Sequence, residues 1–378
     1  MLTQEFSDKF TLTAGVSFKD YTSHNFKTVN DLLGGDFYLD VNRFLNGQPG
    51  DPKLQNDLNN PNRLVREGDD FGYNFDINVQ KGQLWTQGVW TLSNLDFFLA
   101  ANVNTTTFWR EGYYQSGLFP DDSFGESEKT TFTNYGVKGG ATVKFNNRNY
   151  FYVNGSYGTR APFTRNVFQS NRTRDFLFDG LEDETILSAE AVYLIRTPFI
   201  KGRAGVYYTE FKNAVTSRSL FLDAGNEFVN FFQSGIDSRH VGMELGVDVR
   251  LFTGFNVNAV AAIGQNLLTS RPSASIIIDE STESLFEDLT IYSNEFYVPG
   301  TPQTALSLGF DYNSPNYWWL SVNANYFDRT YLDFYPLRRI SEAVQEVPRE
   351  SELFRQIIDQ EKAPEAFTLD LFAGKSWL

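Results

Sequence analysis

Residues 241–251 read Val241-Gly242-Met243-Glu244-Leu245-Gly246-Val247-Asp248-Val249-Arg250-Leu251. Apolar side chains alternate strictly with glycines and charges. A helix repeats near 3.6 residues, so only an extended strand sets all the apolar groups on one face and keeps the other wet. The pattern recurs outward along the chain at 10–18, 137–145, 187–195, 255–263, 306–312 and 318–326. The spacing predicts about twelve strands, each near or above the ~10 residues that a tilted membrane strand needs. Two, 69–92 and 228–251, are far longer and are expected to project as β-ribbon. A change of apolar phase near Gly82 in the first predicts a bulge. Around Leu353, Phe354, Ile357 and Ile358 the spacing turns helical, so a short amphipathic helix is expected there.

Two architectures use one-sided strands. A soluble sandwich packs the apolar faces of two sheets together; a transmembrane barrel turns them toward lipid around a polar lumen. The wet faces here are rich in Gly, Asn, Ser and Thr, and aromatics collect at strand ends: Tyr150 and Tyr152, Tyr207 and Tyr208, Tyr317 to Trp319, Tyr326 and Phe327. Both features suit a wide barrel with an interfacial girdle. The connections weigh more. Short turns at 93–94, 146–148, 197–198, 253–254 and 313–315 alternate with long polar stretches at 21–68, 110–132, 162–184, 214–227, 269–299 and 330–363. Loops beyond ~15 residues are uncommon in compact domains, whereas tight periplasmic turns and long extracellular loops define outer-membrane barrels.

Composition narrows the field. The 378 residues carry a formal charge of −15, no cysteine and 16% aromatics. Acidity makes nucleic acid a poor partner, and the absence of cysteine removes disulfide and Cys-based zinc frameworks. No apolar run approaches the ~20 residues of a spanning helix. Ample apolar surface argues against disorder.

Several blocks resemble TonB-dependent outer-membrane receptors of the Bacteroidetes type: 24–35 from His24 to Gly35, 96–101, Phe108-Trp109-Arg110-Glu111-Gly112-Tyr113, 135–142, Thr159-Arg160-Ala161-Pro162, 228–230 and 235–240. The resemblance covers almost the whole chain. It implies an all-β antiparallel transmembrane barrel in the outer membrane of a Gram-negative bacterium, seated in lipid and lipopolysaccharide. It further implies capture of a small solute (siderophore, oligosaccharide or peptide) at extracellular loops, and import driven by the TonB complex. A surface lipoprotein lid is a possible further partner, and no cofactor is expected. In that family a signal peptide and a plug precede a barrel of twenty-two strands. Residues 1–378 are therefore expected to be a partial barrel domain, lacking plug, signal peptide and final strands. Strands at 10–18 and 367–373 would then be bare sheet edges, and the chain alone would aggregate.

Aromatic faces stack on planar solutes and guanidinium forks grip carboxylates or phosphates. The residue types single out Trp109, Arg110, Tyr113 and Tyr114; Arg160, Phe163, Arg165, Arg172 and Arg174; and Tyr331, Phe334, Tyr335, Arg338 and Arg339 as candidate ligand-binding residues. For each, girdle or loop-core packing is the plainer alternative. His240 with Ser238 and Asp237 is the one conceivable catalytic group, without a nucleophile elbow to support it. Acidic clusters at Asp121, Asp122, Glu126 and Glu128 and at 182–184 lack a calcium-loop spacing and read as solvated loop. A passive porin or adhesin barrel and a secreted glycan-binding sandwich remain the alternatives to a receptor.

Overall fold

A computed structural model describes every residue except 49, 223–226, 280, 282–283 and 378. The labelled strands are β1 Leu2–Ser7, β2 Phe10–Thr28, β3 Asp70–Thr91, β4 Leu95–Gly112, β5 Thr130–Asn146, β6 Asn149–Arg160, β7 Glu184–Arg196, β8 Ile200–Leu222, β9 Glu227–Phe252, β10 Phe255–Leu268, β11 Ser273–Ile278, β12 Ser284–Thr290, β13 Thr304–Asn313, β14 Trp318–Asp328 and β15 Ala366–Lys375. With the two-residue strand Gly125–Glu126 they form one sheet of 16 strands. Its main path runs from β1 through β10 in chain order and then to β13, β14 and β15, every neighbour antiparallel. Among the described residues β1 and β15 each have a single neighbour, so the sheet is an open wall.

Registers keep one face continuous. Val137 pairs with Tyr157 and Tyr157 with Leu187; Val206 pairs with Met243 and Met243 with Ile263; Leu306 pairs with Tyr326 and Tyr326 with Phe367. Because the side-chain period is two, these partners share one side of the pleat. That side is uncovered: Val16 is 77% exposed, Leu99 59%, Met243 44% and Leu371 69%. A sandwich would bury these groups against a second sheet, so the sandwich alternative fails. The opposite face carries a polar ladder, in which Arg203 donates to Glu244 at 3.0 Å and Asn154 to Glu190 at 2.5 Å. Among the described residues no helix is long and apolar enough to cross a membrane.

Dry packing sits elsewhere, where strands overshoot the wall and loops fold onto them. Val229, Phe231, Ala274, Ile276, Leu289, Ile291 and Ile340 form one cluster; Phe75, Ile77, Phe108, Val167 and Phe168 form a second; Phe178, Phe232 and Ile277 a third. Fully burying a side chain of this size contributes about 1.5–3 kcal/mol, so the loops are a packed crown.

Several expectations are corrected. The thirteen strands of the path agree with the expected count of about twelve, and β15 is an edge as expected, but β1 flanks 10–18, so at that end the bare edge lies one strand further out. The stretch 21–68 is loop only from residue 29, because β2 continues to Thr28 opposite β3. Most of 214–227 is ribbon, since β8 runs to Leu222, and 223–226 lie outside the described residues. The stretch 269–299 holds the β11–β12 hairpin, which pairs with the upper part of β9. No bulge occurs at Gly82, whose pairings with Phe18 and Thr105 lie in unbroken ladders. The apolar phase changes there because Leu84 faces outward while Phe75 and Ile77, on the other side of the pleat, pack under residues 167–168 of the crown. Tyr152 is no girdle residue: its hydroxyl donates to Glu190 on the polar face at 3.3 Å. The helix expected near 353–358 is present as Glu352–Ile358, capped by the Ser351 hydroxyl accepting from the Phe354 amide at 3.1 Å.

The tight turns at the opposite end depend on local chemistry. Gly254 sits at φ +83°, and a Cβ placed there would meet the Asn313 carbonyl oxygen at 2.3 Å. Gly254→Val is therefore expected to destabilise the β9–β10 hairpin by about 2 kcal/mol. A lower urea midpoint in detergent, read by tryptophan fluorescence, is the check.

Candidate functional site

The crown encloses a cavity of about 690 Å³. It is lined by Lys27 of β2 and residues 71–74 of β3, by Phe228 of β9 with Ile278 and Asp279, and by residues 41–45, here termed the roof. The roof is held by a buried carboxylate. Asp40 is 3% exposed and accepts from the Arg63 guanidinium at 2.6 Å, the Asn56 amide at 2.7 Å and the Gly72 backbone N–H at 2.9 Å. Arg63 also donates to the Asp70 carbonyl at 2.5 Å and the Tyr114 hydroxyl at 2.9 Å. A buried carboxylate is tolerable only when its lone pairs are satisfied in this way.

Cations dominate the lining although the chain is acidic overall. Lys27 Nζ lies 4.4 Å from the centre of the Phe71 ring, Arg43 Cζ 5.2 Å from Tyr38, and Arg172 Cζ 5.6 Å from Tyr73. Among the described residues none of these three makes an ion pair. Aromatic faces hold a cation by quadrupole attraction without neutralising it, so the positive field remains available to a solute. Asn74 Oδ1, buried and without a hydrogen-bond partner among the described residues, belongs to a residue at the same cavity.

Of the residues expected from sequence, Arg110, Tyr114 and Arg172 meet at this cavity. Arg110 is nevertheless committed to the fold. It is 2% exposed and donates to the carbonyls of Asn171 and Ser123, each at 2.8 Å. Arg174, 1% exposed, donates to the Ser281 carbonyl at 2.8 Å and lies 4.4 Å from the Phe119 ring. Arg339, 6% exposed, donates to the carbonyls of Tyr335 and Asp359 at 3.0 and 3.1 Å, and burial pulls its guanidinium below the usual range. These three arginines clamp loops together.

The remainder lie apart from the cavity. Trp109 is buried beneath the Lys129 ammonium, 4.3 Å from its ring. Tyr113 donates to Asp76 at 2.8 Å, which holds its phenol up at about 12. Arg160 grips Glu184 through two bonds of 2.7 and 2.9 Å and, with Arg165, flanks the exposed ring of Phe163. Tyr331 stacks on Tyr297 at 4.1 Å, Phe334 packs on Phe296, and Tyr335 and Arg338 open and continue the short turn 335–339. Sequence reasoning missed Lys27, Arg43, Tyr38, Phe71 and Tyr73. The signal for the last two was the alternation of Phe71 and Tyr73 at the start of β3; Lys27 lies beside them in the register shift of the β2–β3 pair.

The other chemical candidates are occupied structurally. Ser238 Oγ and His240 Nε2 are 3.2 Å apart, but the Asp237 carboxylate accepts from the Asn213 amide at 3.0 Å instead of orienting the imidazole. Glu182, Asp183 and Glu184 accept from Asn213, Asn134 and Arg160 respectively. Among the described residues no group of three His, Asp or Glu side chains is placed to hold a metal ion.

Comparison with solved structures returns outer-membrane transport proteins. The chain is similar to the copper transporter OprC, with a TM-score of 0.63 and 11% identity over 99% of this chain and 47% of that one. It is similar to the ferric citrate transporter FecA, at 0.58 and 10% over 99% and 45%, and to the ferric yersiniabactin uptake receptor FyuA from Yersinia pestis, at 0.55 and 10% over 98% and 44%. The chain thus spans about half the length of the structures it matches. At such identities the likeness defines the fold alone, the antiparallel wall of an outer-membrane type of β-barrel. No protein-family profile matches the sequence, and no curated protein matches it.

Proposed function

We propose that residues 1–378 form the barrel portion of a TonB-dependent outer-membrane receptor, of the Bacteroidetes type that the sequence blocks resemble, and that this receptor imports a small anionic solute. The cavity carries the reading: ring-backed cations, unpaired with any carboxylate among the described residues, stand at the loop end of a wall whose polar face lines a lumen. Charge complementarity of this kind steers an anion inward and orients it. A siderophore chelate or an acidic peptide fits the field better than a neutral oligosaccharide. The wall would sit in lipid and lipopolysaccharide, a plug and TonB contact would come from outside these residues, and a surface lipoprotein could cover the crown.

The test is uptake of the solute by cells carrying the full-length gene, with and without a functional TonB complex. Accumulation that stops when TonB is deleted is the expected result. Equal accumulation in both strains would establish the passive porin instead.

A further inference from the structure

A second concavity, of about 650 Å³, opens on the outward face of the wall, away from the crown. Val153, Ala191, Val206, Met243 and Ile263 pair in turn along one row from β6 to β10, and Ala189, Tyr208 and Val241 pair in the row above. All eight line the concavity, and the two alanines give it a low floor between larger side chains. Five strands about 4.8 Å apart make the trough roughly 19 Å long. Because barrel strands tilt, a row across them is itself inclined to the bilayer plane. The next row up shows which end rises. Tyr157, Leu187, Glu210, Arg239 and Leu267 pair in turn, passing from exposed apolar groups through charges to Leu267, which is buried and bridged to Tyr297 of the crown. The β9 end of the trough is therefore its upper end. Arg239 stands there, two residues from Val241 on the same face of β9. The charges at this rim are unequal. Glu210 lies opposite Arg239 in the β8–β9 ladder, yet its carboxylate is 3.5 Å from the Lys212 ammonium instead. Arg239, half-buried, makes no hydrogen bond, ion pair or ring contact among the described residues.

Resting on the reading that this wall stands in lipid, we propose that the trough and Arg239 together bind one acyl lipid whose head carries phosphate and no ammonium. An acyl chain lies along the alanine floor, and the phosphate meets the guanidinium at the upper end. An unpaired guanidinium at an oily boundary is matched by phosphate, which accepts two of its N–H groups in one plane. A head that also carries an ammonium finds no free carboxylate, because Glu210 is already beside Lys212, and its charge falls near that lysine. A head of phosphate and hydroxyls meets no such repulsion. Bulk lipid touches the rest of the outward face without this pairing of a fixed trough with a single uncompensated cation.

The experiment uses the receptor expressed from the full-length gene, purified in detergent, and counts retained lipids by native mass spectrometry. Phosphatidylglycerol and phosphatidylethanolamine with identical acyl chains are added at equal concentration. The wild type is expected to retain phosphatidylglycerol about tenfold better, the scale of one charge-assisted contact. Arg239→Gln should bring the two lipids to near-equal retention, and Arg239→Lys, which keeps the charge, should recover part of the preference. Ala189→Phe with Ala191→Phe, which fills the floor and leaves Arg239 in place, should cut retention of phosphatidylglycerol several-fold. Inorganic phosphate in large excess should displace none of the bound lipid, since the trough holds the chain. Equal retention of both lipids by the wild type, or an unchanged ratio in Arg239→Gln, overturns the role of the guanidinium. Undiminished retention in the double phenylalanine variant overturns the trough, and displacement by inorganic phosphate makes the site one for a free anion. A receptor that stays soluble without detergent overturns the membrane reading itself. Far-UV circular dichroism of each variant confirms that the wall is folded.

Discussion

Replacing Lys27 and Arg172 together by glutamine is expected to weaken binding of a dianionic probe such as isophthalate by about 100-fold, with little change in stability. Each of the two side chains lines the cavity and sits against an aromatic ring, with no carboxylate partner among the described residues. Hydrogen bonds to charged groups are worth about 1.5–3 kcal/mol apiece, so removing two gives a drop of two orders of magnitude or more. Folding loses little, because among the described residues neither side chain satisfies a buried acceptor elsewhere in the crown. Calorimetric titration of the double variant beside Lys27→Gln and Arg172→Gln alone is the measurement. Equal affinity in double variant and wild type would remove the cavity from consideration. Including Arg174 in the same neutralisation would confuse the outcome, because that guanidinium is buried against the Ser281 carbonyl and the Phe119 ring.

Asp40→Ala is expected to have the opposite signature, a large structural loss in the roof. Its carboxylate gathers Arg63, Asn56 and the Gly72 amide. Deleting it strands a partly buried guanidinium and two further donors, at a cost of about 3–5 kcal/mol. Residues 29–69 should become accessible to trypsin, which has Arg43, Lys53, Arg63 and Arg66 to cleave there, while the strands of the wall stay protected. Protection of 29–69 equal to that in the wild type would show that the roof is held by other contacts.

The wall was legible in the sequence because its physics is local. Alternation at 241–251 needs nothing beyond the period of a strand, and the long and short connections count themselves. The crown was not legible, because its order rests on pairs distant in sequence: Ile277 with Phe178, Phe75 with Val167, Ile340 with Ile291. The apolar phase change at Gly82 was seen and misassigned. A bulge and a change of burial partner leave the same trace in one strand, and only the neighbouring ladders separate them. The arginines show the same limit. Residue type marks Arg110, Arg172 and Arg174 alike, but a guanidinium committed to backbone carbonyls and one that faces an open cavity differ only in three dimensions. Lys27 and Arg43 went unnoticed because a lone cation outside a cluster carries no sequence signal.

Separate dry clusters above the wall, with none of them built into its lipid-facing ladder, give this architecture two regions under different kinds of selection. Outside the trough below Arg239, side chains that meet acyl chains must stay oily but need no particular shape, whereas those in the crown must interlock. The crown can therefore change its packing, insertion by insertion, without disturbing the pairing of the ladder. A shared outline at 10–11% identity with carriers of copper, ferric citrate and ferric yersiniabactin is what such independent renovation leaves behind.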